Sequence, residues 1–496
     1  MGKGHSEERS TDMVMPQDAS VNIGAWTGTP AEAADRVVGI QTKLHRWATA
    51  DAGRRFDDLF NLVCDPAFLL TAWTRVRTNT GARSAGIDRR VASQIEALSG
   101  GVEAFLNDLR KQVRSGTFAP LPVRRVMIPK ASGKLRALGI PTVADRVVQA
   151  ALKLVLEPIF EAGFSSSSYG FRPGRRAHDA IEDIRMHAHN GYVRVFEGDI
   201  HACFDEISHT ALLGRVRDRI KDKRIVALVR SFLKAGVLAS DGFVRDTPAG
   251  TPQGGILSPL LANIALSVLD EHFDAKWVAQ GDTASARWWH RKKGGASYRL
   301  VRYADDFVVL VHGTDSHLHA VRDEIEDVLA TMGLQLAVDK THTVHIDQGF
   351  DFLGFRIQRH TQWGSNRRYV YSYPSHKAML SVKAKIKALT NRQITERDPM
   401  LVILELNRVT RGWANYFRTG ASKRAFRDID RYLWWRAWRW LCAKHPQRGA
   451  HWIKRTYYVD DPWWPSAEGW LLDHPARIRI QRHAYRGNQI PTPWTA

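Results

Sequence analysis

Two adjacent aspartates, Asp305 and Asp306, sit between two short runs rich in apolar and β-branched residues, Ser297–Arg302 and Val308–Val311. Each run reads as a strand, and Ala304-Asp305-Asp306 reads as the tight turn of a hairpin. A pair of carboxylates at the end of a buried hairpin is costly unless positive charge lies against it. A hard dication such as Mg2+, which prefers oxygen ligands, meets that need. An Asp-Asp pair also suits an ordinary turn, so the reading depends on what the chain supplies elsewhere. It supplies the run Tyr192–Asp199, which alternates as a buried strand and ends on a third carboxylate. If the two strands are neighbours, three carboxylates meet at one sheet edge. That arrangement can hold a pair of Mg2+ ions about 4 Å apart, the geometry of in-line phosphoryl transfer. Asp205 and Glu206 are rival ligands, and they equally suit the first turn of a helix.

The charge balance narrows the partners. Lysine and arginine number 72 against 51 acids, a net charge of +21 over 496 residues. A folded chain of one dominant sign points to a polyanion. Cys64, Cys203 and Cys442 show no paired spacing, so a disulfide framework and a zinc site are both unsupported, and a reducing compartment fits. The longest uncharged run, Thr247–Leu269, is broken by Pro248, Pro252, Gln253, Pro259 and Asn263. It reads as a loop and a buried helix, and no membrane partner is expected.

Along the chain, residues 1–39 read as a polar, flexible tail, followed by helices from Ile40 to Val76 and over Leu98–Val113. Arg124–Pro141 changes character. Val126–Ile128 and Leu135–Ile140 are strand-like around a turn at Ala131–Gly133, and the hairpin carries Arg124, Arg125, Lys130, Lys134 and Arg136. That suits a charged edge strand or a flap over phosphates. Thr142–Phe160 and Ile207–Leu238 are helical, Ser165–Arg176 is a loop, and Gly250–Gly255 is a glycine-rich loop leading into a helix. A basic connector, Arg287–Lys293, precedes the acidic hairpin. A helix over His317–Met332 and strands at Gln335–Val338 and Phe352–Ile357 follow. Beyond Ser375 helices dominate, and ten of the seventeen tryptophans lie past residue 400. Leu433, Trp434, Ala437, Trp438 and Leu441 share a helical face, which favours a core role for the two tryptophans. The fold class is α+β.

Several motifs stand in one order: DLFNLV (58–63), IPK…GKLRALGIPT (128–142), DRVVQAAL (145–152), SYGFRPGRR (168–176), GDIHACFDEI (198–207), GTPQGGILSPLLANI (250–264), YADDF (303–307), FLGFRI (352–357) and RGWANYF (411–417). Together they resemble the group II intron-encoded reverse transcriptases, also called maturases. The resemblance implies a right-hand polymerase with fingers (40–190, including an N-terminal extension), palm (191–360), helical thumb and maturase region (375–450), and a basic nucleic-acid-binding C-terminal segment (451–496). It implies that Asp199, Asp305 and Asp306 bind a pair of Mg2+ ions, with the backbone carbonyl of Ile200 assisting. Lys130, Arg136, Phe204, Gln253 and Lys340 match nucleotide-binding positions. Lys130 and Arg136 would grip the triphosphate, Phe204 would act as steric gate against a 2′-hydroxyl, and Lys340 would protonate pyrophosphate. Arg172, Arg411, Trp413 and Tyr416 are the expected RNA contacts, mixing cations with flat aromatic faces.

The implied activity is RNA-directed DNA polymerisation by a protein that binds its intron RNA, assists splicing and copies the intron into DNA during retrohoming. The implied partners are intron RNA, a DNA target and primer, and dNTPs, in the cytoplasm of a bacterial-type cell; oligomeric state stays open. Two rivals are a domesticated reverse transcriptase of retron or phage-defence type and a splicing cofactor without polymerase activity. The intact acidic trio argues against the cofactor, and RGWANYF against the domesticated enzyme. The chain shows no histidine and cysteine-pair endonuclease signature after the maturase region, so no second-strand nuclease activity is expected.

Overall fold

The structure, a computed structural model, describes residues 28–495 except 130–132, 134 and 240–242. Its first helix, Pro30–Ala50, starts nine residues before the end of the expected tail. Thr29 and Glu32 form a reciprocal cap, with the Thr29 amide donating to Glu32 Oε2 at 2.6 Å and the Glu32 amide to Thr29 Oγ1 at 3.3 Å. The early turns are polar because only one stripe is buried, through Ala33, Val37, Gln41, Leu44, His45 and Ala48. Residues 1–27, the rest of the expected tail, lie outside the described residues. The stripe packs on the Pro66–Thr78 and Val143–Glu161 helices.

Strands β1 (Val123–Pro129) and β2 (Leu135–Ile140) form the basic hairpin. Strand β3 (Arg194–Asp199) lies in the central sheet. The Ile207–Leu238 stretch divides into helices His209–Arg219 and Lys223–Leu233 and a short β4 (Val237–Leu238). With β5 (Val244–Arg245), β4 extends the hairpin sheet in the order β2-β1-β4-β5. Strands β6 (Ser297–Tyr303), β7 (Asp306–His312) and β8 (His342–His345) complete the central sheet, ordered β6-β7-β3-β8 and antiparallel throughout. Both faces of this sheet are covered. Phe196, Leu300, Phe307 and Val309 belong to one apolar core, and Val195, Val301, Val308 and Leu310 to another. That explains near-continuous hydrophobic strands in place of clean alternation.

Three expected elements differ. Gln335–Val338 makes only a single bridge, Leu336 to Ile200, before a tight turn at Val338–Lys340. Phe352–Ile357 is two strands, β9 (Phe350–Phe352) and β10 (Phe355–Thr361), reversed at Leu353 and Gly354, whose φ values of 48° and 81° are left-handed. Together with β11 (Arg368–Pro374) they form a sheet ordered β11-β10-β9. The basic connector is a helix, Ala284–Lys292, that buries none of its residues.

Past Ser375 the helices His376–Leu389, Pro399–Phe417, Lys423–Lys444 and Ala450–Tyr457 build a third core. Leu433, Ala437 and Leu441 are buried there, while Trp434 and Trp438 are half-buried and parallel at 6.1 Å. The end of the chain is docked along its length. Ile490 and Trp494 are buried, and the Trp494 ring lies 5.5 Å from that of His45 on the first helix.

Candidate active site

Asp199 is the last residue of β3 and pairs in register with Asp306, the first residue of β7. Asp306 also pairs with Tyr303, so the turn consists of Ala304 and Asp305 alone. Ala304 takes φ 59°, a left-handed conformation that tightens the reversal. The residue before Asp199 has to be glycine: a Cβ on Gly198 would come within 2.1 Å of the Phe307 ring on the paired strand. The three carboxylates foreseen from the sequence are thus brought to one sheet edge.

Their electrostatics follow from that crowding. Burial, with Asp199 adding repulsion, holds Asp305 above the usual carboxylate range. Burial and then repulsion from Asp305 and Asp199 push Asp306 up to about 6. Lys340 Nζ donates to Asp199 Oδ2, and the Asp199 carbonyl accepts from the Ala337 amide at 2.8 Å. Asp199 in return raises the Lys340 pKa through that hydrogen bond. Among the described residues no three His, Cys, Asp or Glu side chains already stand in ligand positions, in keeping with an Asp199 carboxylate held by lysine. The donor set still fits Mg2+: all oxygen, under-neutralised, and backed by rigid strands.

The turn rests on a network that the sequence alone did not reveal. Arg302, fully buried, donates from Nε to Asp270 Oδ1 at 2.8 Å, from Nη1 to Asn263 Oδ1 at 3.0 Å and to the Ala304 carbonyl at 3.1 Å, and from Nη2 to Ser168 Oγ at 2.8 Å. Asn263 Nδ2 donates to the Gly170 carbonyl at 2.9 Å. The Ser165–Arg176 loop pairs with β6, Tyr169 N to Arg302 O at 2.8 Å and Arg302 N to Ser167 O at 2.9 Å. A Cβ at Gly170 would lie 2.3 Å from Ala304 N. The SYG motif therefore exists to let a loop press against the catalytic turn. A charged residue in the middle of an apolar strand was the available signal for Arg302.

On the nucleotide side, Arg136 Nε donates to Gln253 Oε1 at 2.7 Å, and the Gly139 amide to the Gln253 carbonyl at 2.7 Å. Gln253 Nε2 reaches Asp205 Oδ2 at 3.3 Å. The basic hairpin, the glycine-rich loop and the short Cys203–Glu206 helix are so joined through one glutamine. Phe204 lies buried on that helix, its carbonyl accepting from the Thr251 amide at 2.6 Å. Glu206 is engaged by His201 Nδ1 at 2.8 Å, so the helical-turn reading holds for Asp205 and Glu206. Ile200 is buried in its bridge to Leu336. Lys130 lies outside the described residues.

Three of the four expected RNA contacts are structural. Arg172 is buried and paired with Glu161, Nε to Oε2 at 3.0 Å, and donates to the Ser168 carbonyl at 2.7 Å. An arginine in a polar loop looks exposed until its buried acid partner is seen. Trp413 packs against Phe417 and Phe426 between two cores, and its buried Nε1 has no hydrogen-bond partner among the described residues. Tyr416 donates to the Leu353 carbonyl at 2.9 Å and packs on His178 and Phe355. Arg411 differs: its side chain is exposed, with Nε to Asp473 Oδ2 at 2.8 Å.

Comparison with known proteins agrees with this geometry. Residues 128–357 match the family model "Reverse transcriptase (RNA-dependent DNA polymerase)", and residues 379–458 match "Group II intron, maturase-specific domain". Protein YkfC of Escherichia coli is 37% identical over 360 residues, 68% of this chain and 93% of that protein. The group II intron-encoded protein LtrA of Lactococcus lactis is 33% identical over 350 residues, 61% of this chain and 57% of LtrA. The matched region thus spans little more than half of LtrA. The architecture is that of a right-hand polymerase, with the helical region appended. The chain belongs to the family of group II intron-encoded reverse transcriptases with a maturase domain, and its enzyme class is RNA-directed DNA polymerase.

Proposed function

We propose that this protein extends a primer 3′-hydroxyl with dNTPs on an RNA template, releasing pyrophosphate, and that its physiological template is the intron RNA that it binds and helps to splice. The observation that carries the chemistry is the pairing of Asp199 with Asp306 beside Asp305 at the hairpin tip. A pair of Mg2+ ions held by Asp199, Asp305 and Asp306, with the Ile200 carbonyl, would supply charge neutralisation for in-line phosphoryl transfer. Arg136, oriented by Gln253, binds the triphosphate as a planar fork that a lysine cannot reproduce. Lys130 adds a second cation. Phe204 crowds the ribose 2′ position and favours deoxynucleotides. Lys340, resting on Asp199, is placed to return a proton to the leaving pyrophosphate.

Residues 40–190, 191–360 and 375–450 serve as fingers, palm, and thumb with maturase surface in this reading. DNA target, retrohoming and a nucleoid-associated cytoplasmic location follow from the intron assignment. No described helix is long and apolar enough to cross a membrane. The test is primer extension on an RNA template with Mg2+. Wild-type protein should extend, and Asp305→Ala should lose cDNA synthesis while keeping RNA binding and splicing. A wild-type protein inert with dNTPs sinks the enzymatic half. RNA affinity should also fall steeply with salt as phosphate contacts release counterions.

A further inference from the structure

The Ala284–Lys292 helix lies between the long Ser258–Ala279 helix and β6, and it faces solvent with none of its residues buried. Helices of globular proteins ordinarily bury an apolar stripe. Trp288 and Trp289 are instead 46% and 56% exposed, their rings 4.9 Å apart at 81°. The inward contacts come from other side chains. Arg287 donates to the Gly281 carbonyl at 2.6 Å and covers the Trp277 ring at 4.5 Å, and a His290 ring nitrogen lies 3.2 Å from the Ala296 carbonyl. Lys292 Nζ sits 5.2 Å over the Trp288 ring, and Lys293 is exposed beside it. No acid occurs from Ala284 to Gly295.

We propose that this helix is a docking surface for an unpaired segment of RNA. Two flat indole faces at right angles take bases by stacking, which paired bases inside a duplex cannot offer, and the neighbouring lysines take phosphates. The surface lies outside the polymerase cleft. It joins β6 at Ser297, whereas the catalytic turn follows Tyr303 at the other end, about 20 Å away at strand rise. It therefore engages RNA that is not being copied, tethering the bound transcript while the cleft works.

The proposal rests on the RNA-partner reading above. Its probe is labelled oligouridylate, added to full-length protein whose cleft is already saturated with an annealed primer–template. Trp288→Ala/Trp289→Ala should weaken oligouridylate binding by about tenfold or more. Lys292→Gln/Lys293→Gln should flatten the slope of log affinity against log salt by roughly 1. Both variants should melt like wild type and keep its primer-extension rate. Photocrosslinked oligouridylate should map to the peptide containing Trp288 and Trp289. Unchanged affinity, equal loss on duplex RNA of the same sequence, or a parallel loss of primer–template affinity would each overturn it. A wild-type protein that fails to extend primers counts against the polymerase reading. One that extends normally, but whose tryptophan variant binds oligouridylate as before, counts against this surface alone.

Discussion

The guanidinium of Arg302 and the carboxylate of Asp270 form an ion pair in which neither side chain has any exposed surface. The same guanidinium holds the Ala304 carbonyl of the catalytic turn. Removing one partner leaves the other charged and buried. Asp270→Ala should therefore destabilise the fold by about 3–5 kcal/mol, read as a drop in the midpoint of thermal unfolding. Replacing both partners, as Arg302→Met/Asp270→Leu, should recover most of that stability, because the desolvation penalty disappears with the charges. It should not recover the primer-extension rate, since Ala304 O, Ser168 Oγ and Asn263 Oδ1 lose their donor. If rate returns together with stability, the pair is packing only.

The contrast between this network and the three aspartates shows what a one-dimensional reading can reach. Asp199, Asp305 and Asp306 were legible because each ends or begins a short strand, and strand ends are set by local pattern. The pairing of β3 with β7 remained a condition until the register was seen. Arg302, Asp270 and Asn263 were not legible as a unit, since their contacts cross 32 and 39 residues of sequence. Arg172, Trp413 and Tyr416 were misread for the same reason: Glu161, Phe426 and the Leu353 carbonyl, which bury them, are distant in the chain or hidden in a turn. The Phe352–Ile357 run looked continuous because its reversal uses Leu353, an apolar residue at positive φ, where turn chemistry favours glycine or asparagine.

Lys340 occupies the carboxylate oxygen of Asp199 that a cation would share. Taking the ammonium away removes a competitor and leaves three carboxylates less neutralised. Lys340→Gln should thus show a larger rise in unfolding midpoint per increment of Mg2+ than wild type, by linkage of ligand binding to the native state. Its primer-extension rate should nonetheless fall, as the proton donor is gone. A smaller Mg2+ response than wild type would mean that the lysine helps to assemble the metal site.

Asp145 offers a pH test away from the active site. It is buried at the start of the Val143–Glu161 helix, accepting from Thr142 Oγ1 at 2.7 Å, and burial pushes its pKa up to about 6. A raised carboxylate pKa means that the folded state prefers the protonated form. Its stability contribution is complete below the unfolded value near 4 and is lost as pH rises through 6. Wild type and Asp145→Asn should therefore be equally stable at pH 4. Above pH 6 the variant should be the more stable, by about 3 kcal/mol if the carboxylate ionises without relief. Denaturant titrations across that range check it. A wild type that gains on the variant with rising pH would show that Asp145 is held ionised.

The chain end supplies the last test. Arg486 grips buried Asp179 through Nε at 2.8 Å and Nη2 at 2.6 Å, and His483 Nε2 lies 2.7 Å from the same carboxylate. Farther along, Trp494 Nε1 reaches Gln41 Oε1 at 3.3 Å on the first helix. A segment foreseen as a nucleic-acid-binding tail thus ties the end of the chain to the palm-side helix Ala177–His189 and to the N-terminal helix. Arg486→Ala leaves a buried carboxylate with half its partners, and charge-assisted hydrogen bonds of this kind contribute about 1.5–3 kcal/mol. Trp494→Ala removes an aromatic anchor, a loss of about 3 kcal/mol or more for a buried ring. If the segment is a clasp, each variant should speed protease cleavage between residues 475 and 495 long before the catalytic sheet unfolds, and the two effects should be strongly coupled because one undocked end frees the other. If it is mainly an RNA-binding arm, Arg486→Ala should instead lower RNA affinity and leave cleavage in the free protein unchanged.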